Sequence, residues 1–136
     1  MTEIKEKYSV TKAQTNMYLD ITSKLFPVLM DSSYISPIFF AKTPDEFSMI
    51  MPSAKLYDMN LDTEKICIDN SWACFKVIGP MPFDLVGIMA KLSKILADAS
   101  ISLLAQSTFE TDYILVKWEN RDATHRAFTS AGVKFL

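Results

Sequence analysis

The chain is poor in the residues and runs that commit a protein to a definite chemistry. Of its 136 residues only two are cysteine, Cys67 and Cys74, and only one is histidine, His125. No second cysteine pair or histidine cluster completes a zinc site, and Cys-x-x-Cys is absent. A disulfide needs an oxidising compartment that nothing here points to, so two free thiols on or beside strands are expected. A Gly-rich phosphate loop, a paired-carboxylate motif and a Ser/His or Cys/His constellation are all missing, which argues against an enzyme and calls for no cofactor. The charge-free stretches at 32–41 and 99–109 are too short to span a bilayer, so no membrane association is expected. The opening Met1-Thr2-Glu3-Ile4-Lys5-Glu6-Lys7 alternates in charge sign and has no apolar core of the signal-peptide kind, which points to a cytoplasmic protein. Nor is there a basic block. Fourteen Lys and Arg against 16 Asp and Glu leave a net charge of −2, without a footprint for nucleic-acid phosphates.

What the chain does contain is apolar material. It is 49% hydrophobic and 22% charged, with a mean hydropathy of +0.13, which excludes wholesale disorder. Its length suits one domain, or two very small ones sharing a core.

The C-terminal half has the clearer pattern. Trp72-Ala73-Cys74-Phe75-Lys76-Val77-Ile78 is rich in aromatic and β-branched residues and stops at Gly79-Pro80, as a strand before a breaker does. Asp84 is placed as an N-cap. Leu85, Ile88, Met89, Leu92, Ile95, Leu96 and Ala99 then recur at helical spacing, with Lys91, Lys94 and Asp98 opposite. A strand follows over residues 101–107, a polar corner over 107–112, and a second strand over 113–118. Asn120 caps a helix at 121–130 whose Ala123, Ala127 and Phe128 form a narrow apolar face, and Gly132 supplies a left-handed stop. Val133-Lys134-Phe135-Leu136 reads as a last short strand. The order is βαββαβ, an α+β ferredoxin-like unit with two helices on one face of an antiparallel sheet.

The N-terminal half echoes it. Residues 39–51 and 103–116 both run from an apolar strand through a short acidic corner into another apolar strand, the first copy one residue shorter at the corner. Upstream lie a strand at 8–13 and a helical region at 17–30 interrupted by Pro27. Downstream lie a short helix at 52–57 and a short strand at 65–68. The expectation is two units in tandem, a degenerate copy at 1–69 and a second unit at 70–136, joined near Asp69-Asn70.

Gly79-Pro80-Met81-Pro82-Phe83-Asp84-Leu85-Val86-Gly87-Ile88 followed by Ser107-Thr108-Phe109-Glu110-Thr111-Asp112-Tyr113-Ile114-Leu115-Val116 resembles the tandem ACT-domain proteins of the small bacterial type. These are similar to the regulatory region of aspartokinases and to cytosolic arginine sensors. The resemblance covers residues 72–118 well and the N-terminal half only through 40–51. It implies a non-catalytic sensor for a small effector, an amino acid above all, bound at an interface between two units. It also implies a homodimer and, downstream, a regulated protein partner. Carried over by position, the ligand loop is Phe83, Asp84, Leu85, Val86, Gly87 and Ile88, and the strand and corner are Gln106, Ser107, Thr108, Thr111 and Asp112.

Simple physics supports the loop independently. Free N–H groups at a helix start attract a carboxylate, Gly87 permits close approach, and Asp112 suits an ammonium or guanidinium. Each residue also has a plainer role: Asp84 as a cap, Asp112 within a hydrogen-bonded turn, Gly87 for packing. His125, on a polar helix beside Arg121 and Arg126, lacks the nucleophile and orienting carboxylate that catalysis needs. The eight methionines suit irregular core gaps. A ligand-free interaction module is the alternative function, and a small ferredoxin-like enzyme a more distant one.

Overall fold

Strand β1, Thr2–Ala13, and helix α1, Tyr18–Met30, open the chain, followed by β2, Phe39–Lys42, and β3, Phe47–Pro52. Then come α2, Ser53–Asp58, β4, Ile66–Lys76, and α3, Ile88–Asp98. Strands β5, Leu104–Ser107, and β6, Asp112–Lys117, precede α4, Arg121–Ser130. The computed structural model describes residues 1–78 and 87–136. It divides into two compact units, Glu6–Ser71 and Met1–Lys5 with Trp72–Leu136.

In the Glu6–Ser71 unit the strands lie in the order β2-β3-β1-β4. β3 pairs antiparallel with β1 from Tyr8↔Pro52 to Ala13↔Phe47, and with β2 from Phe39↔Ile50 to Lys42↔Phe47. The period-2 alternation puts Phe47, Met49 and Met51 on one face, where Ile21 and Leu25 of α1 and Leu56 of α2 cover them. Met59 is buried in the same core, so three methionines fill it. Pro27 does not end α1. The helix runs through it to Met30, leaving the Ser23 carbonyl without its usual i+4 donor. Above β1, buried Ser9 shares hydrogen bonds with Ser53 (2.7 Å) and Asn70 (2.5 Å), whose amide donates to the Tyr57 hydroxyl (2.7 Å).

The second unit has the strand order β1-β4-β6-β5. β6 pairs with β4 from Trp72↔Lys117 to Lys76↔Tyr113 and with β5 from Leu104↔Leu115 to Ser107↔Asp112. Ala73, Phe75, Ile114 and Val116 line the face covered by Leu92 and Leu96 of α3 and Phe128 of α4. Cys74, on the other strand parity, is buried, and burial alone pushes its thiol up to about 12, whereas Cys67 is exposed. Among the described residues no helix is long and apolar enough to cross a membrane.

Three details differ from the pattern expected of the sequence. Residues 133–136 form no strand, and the place beside β4 is filled by residues 2–5 of β1. The end of the chain instead brackets that strand: the Met1 ammonium donates to the Lys134 carbonyl (2.7 Å) and the Leu136 N–H to the Met1 carbonyl (3.0 Å). Second, the polar Asp69-Asn70-Ser71 segment is no loop but the middle of β4, with Ser71 at φ 66°. Trp118, finally, lies in a 3-10 turn after β6, under the Arg121 guanidinium (4.4 Å), not on a strand.

Helix ends show how local chemistry meets the fold. At α4 the Val133 N–H reaches the Phe128 carbonyl (2.9 Å) and the Gly132 N–H the Thr129 carbonyl (3.0 Å), with Gly132 at φ 87°, the expected left-handed stop. Helix α3 ends in the same motif, Ile101 N–H to Leu96 (2.9 Å) and Ser100 N–H to Ala97 (2.9 Å), yet the left-handed position is Ser100 at φ 58°. Any Cβ is disfavoured there by roughly 1–2 kcal/mol. Ser100→Gly should therefore stabilise the chain by about 1 kcal/mol, read as a higher urea midpoint at unchanged slope.

Candidate functional site

Five of the predicted site residues come together at the β5–β6 hairpin. Gln106 and Ser107 end β5, Asp112 starts β6, and Thr108 and Thr111 form the corner between them. The corner is closed by its own hydrogen bonds: the Thr108 N–H (2.8 Å) and hydroxyl (3.2 Å) both donate to the Thr111 carbonyl. Ser107 Oγ donates to Asp112 Oδ1 (2.5 Å), and the Asp112 carbonyl accepts from the Val77 N–H (2.9 Å), anchoring the hairpin to the end of β4. Asp112 is half-buried, and its carboxylate makes the hydrogen bond to Ser107 at the surface. The next residue, Tyr113, is buried, and burial raises its phenol above the ordinary value, keeping it neutral.

Gly87 and Ile88 sit at the start of α3. The helix begins at Ile88, and the residue in the N-cap position is Gly87, not Asp84. The backbone explains the choice: Gly87 has φ 86°, a left-handed conformation that glycine adopts without a steric cost. A Cβ built there meets no atom of the described residues within 4 Å, so the demand for glycine is conformational. Among the described residues no close packing against the sheet accounts for the glycine. Ile88 packs against the core of Phe75 and Leu92. Phe83, Asp84, Leu85 and Val86 lie outside the described residues.

The first unit repeats the hairpin. The Thr43 N–H (2.9 Å) and hydroxyl (3.3 Å) donate to the Glu46 carbonyl, as those of Thr108 donate to Thr111. Lys42↔Phe47 closes this loop and Ser107↔Asp112 the other, with four residues between in each case. The two corners thus have equal length, and the one-residue difference expected from the sequence is absent. What differs is chemistry: Phe47, fully buried against Tyr18 (5.7 Å) and Phe40 (6.4 Å), stands where the second hairpin has Asp112.

The sequence did not indicate a cleft in the first unit of about 370 Å³, lined by Gln14, Asn16, Met17, Glu64 and Lys65. It adjoins one of about 220 Å³ that also reaches Lys12 and Cys67. Its walls lie fifty residues apart in the chain, and no motif connects them.

His125 is a structural residue. Its Nε2 lies 2.6 Å from Glu3 Oε2, its ring stacks on Phe135 at 4.2 Å, and it meets Phe75 edge-on at 5.3 Å. Arg121 Nε shares the Glu3 carboxylate at 3.5 Å. Among the described residues no three of His, Cys, Asp and Glu gather as metal ligands.

Comparison with known proteins agrees with this geometry. Residues 68–130 match the model of the ACT domain family. No protein of characterised function matches the chain in sequence. In structure it is similar to protein Atu0741 of Agrobacterium tumefaciens, with a TM-score of 0.76 and 23% identity over 99% of this chain and 90% of that one. It is also similar to the regulatory subunit of aspartate kinase from Thermus thermophilus in its ligand-free form, with a TM-score of 0.67 and 11% identity over 93% of each chain. Against the aspartate kinase of Clostridium acetobutylicum the TM-score is 0.66 at 13% identity, and the match takes in 93% of this chain but 33% of that one. Residues 68–130 therefore match the ACT domain in sequence, and the chain has the ferredoxin-like βαββαβ fold of that family.

Proposed function

We propose that the chain is a non-catalytic regulatory protein of two ACT-like units that binds a small effector, most readily an amino acid, and works as a cytoplasmic homodimer acting on a protein partner. The observation that carries the reading is the ACT match over residues 68–130, which contains both segments of the sequence motif. Topology supports the second part: the Glu6–Ser71 unit has βαββαβ order along the chain and repeats the hairpin hydrogen bonds of the second unit, without matching the family in sequence. In this reading Asp112 receives the effector's cation, and the loop from Phe83 to Ile88 receives its carboxylate. Gly87, without a side chain, allows close approach of that carboxylate. The cleft at Gln14, Asn16 and Glu64 adjoins the equivalent strand-to-helix loop of the first unit. A bound effector changes the output by favouring one packing of the units over another.

Thermal unfolding with each of the twenty amino acids tests this. An effector at a hundredfold excess over its Kd should add about 2.7 kcal/mol of stability. Asp112→Ala should abolish that gain while shifting the unliganded stability by no more than ~1 kcal/mol, because only one partly exposed hydrogen bond is lost. A chain that no amino acid stabilises at millimolar concentration would end the effector reading, and a shift that survives Asp112→Ala would move the site off the hairpin. Gly87→Val is a weaker probe, since φ 86° penalises any side chain whether or not a ligand binds. The alternative, a ligand-free interaction module, is favoured by one observation, the exposed apolar side of α1.

A further inference from the structure

Helix α1 carries large apolar side chains on its outer as well as its inner side. Ile21 and Leu25 are buried in the core of their unit, yet Leu19 is 78% exposed, Phe26 62% and Met30 67%, with Leu29 also exposed. At roughly 100° per residue, Leu19, Ser23, Phe26 and Met30 form one outward stripe. The only charges on α1 are Asp20 and Lys24, which lie off that stripe and pair with each other at 4.0 Å. A contiguous exposed stripe of large apolar side chains on a helix is ordinarily covered by a partner.

The chain contains its own control. Helix α3 is the first helix of the second unit, as α1 is of the first, and its exposed positions are Ala90, Lys91, Lys94, Ala97 and Asp98. Lys94 and Asp98 pair there at 2.9 Å, and α3 exposes no large apolar side chain. The fold therefore does not require an apolar outer face at this position, and α1 has one for another reason.

We propose that the outer face of α1 is the surface on which a second copy of this chain docks, antiparallel to the first about a two-fold axis. Two features point to a second copy. The stripe is self-complementary: an antiparallel two-fold sets Phe26 against the second copy's Ser23 and Leu19 against its Met30. Ser23 offers a small, quiet surface, because its hydroxyl donates to the Asp20 carbonyl of its own helix (2.7 Å). The area is also right. Tyr18 and Phe40 extend the face toward the edge strand β2, both packing on Phe47. Together these side chains expose on the order of 600 Å², near the roughly 800 Å² that each partner contributes to a standard interface. This deepens the homodimer part of the proposed function by naming its surface, and it needs no effector.

Sedimentation velocity on the full chain over a concentration series is the test. The wild-type chain should be a dimer with a Kd on the order of 1 µM or tighter. Phe26→Asp and Leu19→Lys should each raise that Kd roughly 30-fold or more, with unchanged circular dichroism because both side chains are exposed in the single chain. Lys94→Glu on α3 should leave it unaltered. A wild-type dimer that survives both α1 substitutions overturns the assignment of this face and leaves pairing itself intact. A wild-type chain that stays monomeric overturns both, while the thermal test of effector binding is read independently.

Discussion

Phe75→Ala should cost about 3–5 kcal/mol, the largest single-residue loss expected in the chain. Phe75 is fully buried near the end of β4, opposite Ile114, with its ring edge-on to His125, Phe128 and Phe135. Three aromatic neighbours from α4 and the segment after it cannot close on a methyl group without leaving their own positions, so truncation leaves a cavity. For a domain held by roughly 5–15 kcal/mol, that loss is a large share of the total. Urea unfolding measures it directly. Phe40→Ala is the control: its ring is half exposed at the β2 edge, and about 1 kcal/mol is expected. Equal losses at the two positions would mean that Phe75 is not the packing centre described.

Removal of residues 1–5 should destabilise the second unit by about 3–6 kcal/mol. Three contributions combine. Met1 is buried with Phe75 and Leu96 in that unit's core. The Glu3 carboxylate, mostly shielded from solvent, holds both His125 and Arg121 of α4. Residues 2–5 also cover the backbone edge of β4, which would otherwise stand unpaired. The expected signature is local. Amide exchange should accelerate in β4, β6 and α4 while β2 and β3 keep their protection. Glu3→Ala separates the terms: it breaks the carboxylate contacts, leaves the strand, and should cost about 1–2 kcal/mol. Uniform acceleration in every strand would contradict the assignment of these residues to the second unit.

Much of this was legible in the sequence because it depends on neighbours. The spacing of Leu92 and Leu96, the alternation of Ile114 and Val116, and Gly132 at a helix end are short-range signals, and each is realised as read. The hairpin itself was legible for the same reason, since Ser107 to Asp112 is one turn. The N-cap was misread because Asp84 satisfies the side-chain rule for a cap, whereas the position was selected by a backbone angle that only Gly87 adopts easily. Separate strands at 65–68 and 72–78 were expected on either side of Asp69-Asn70-Ser71, because three polar residues interrupt the apolar pattern. In the fold those residues continue β4, where Asn70 satisfies buried Ser9 and Tyr57.

By itself the sequence determined the order strand, helix, two strands, helix in each half, and the core faces of α3 and β6, because periodicity of 2 and 3.6 encodes burial along a segment. Only the tertiary structure decided which strand completes the second unit. The choice between residues 133–136 and residues 2–5 is a competition for one sheet edge, settled by contacts more than a hundred residues apart. The same holds for α1: the sequence reads as a helical region at 17–30, and only the packed unit shows that Ile21 and Leu25 lie inside it while Leu19, Phe26 and Met30 remain outside.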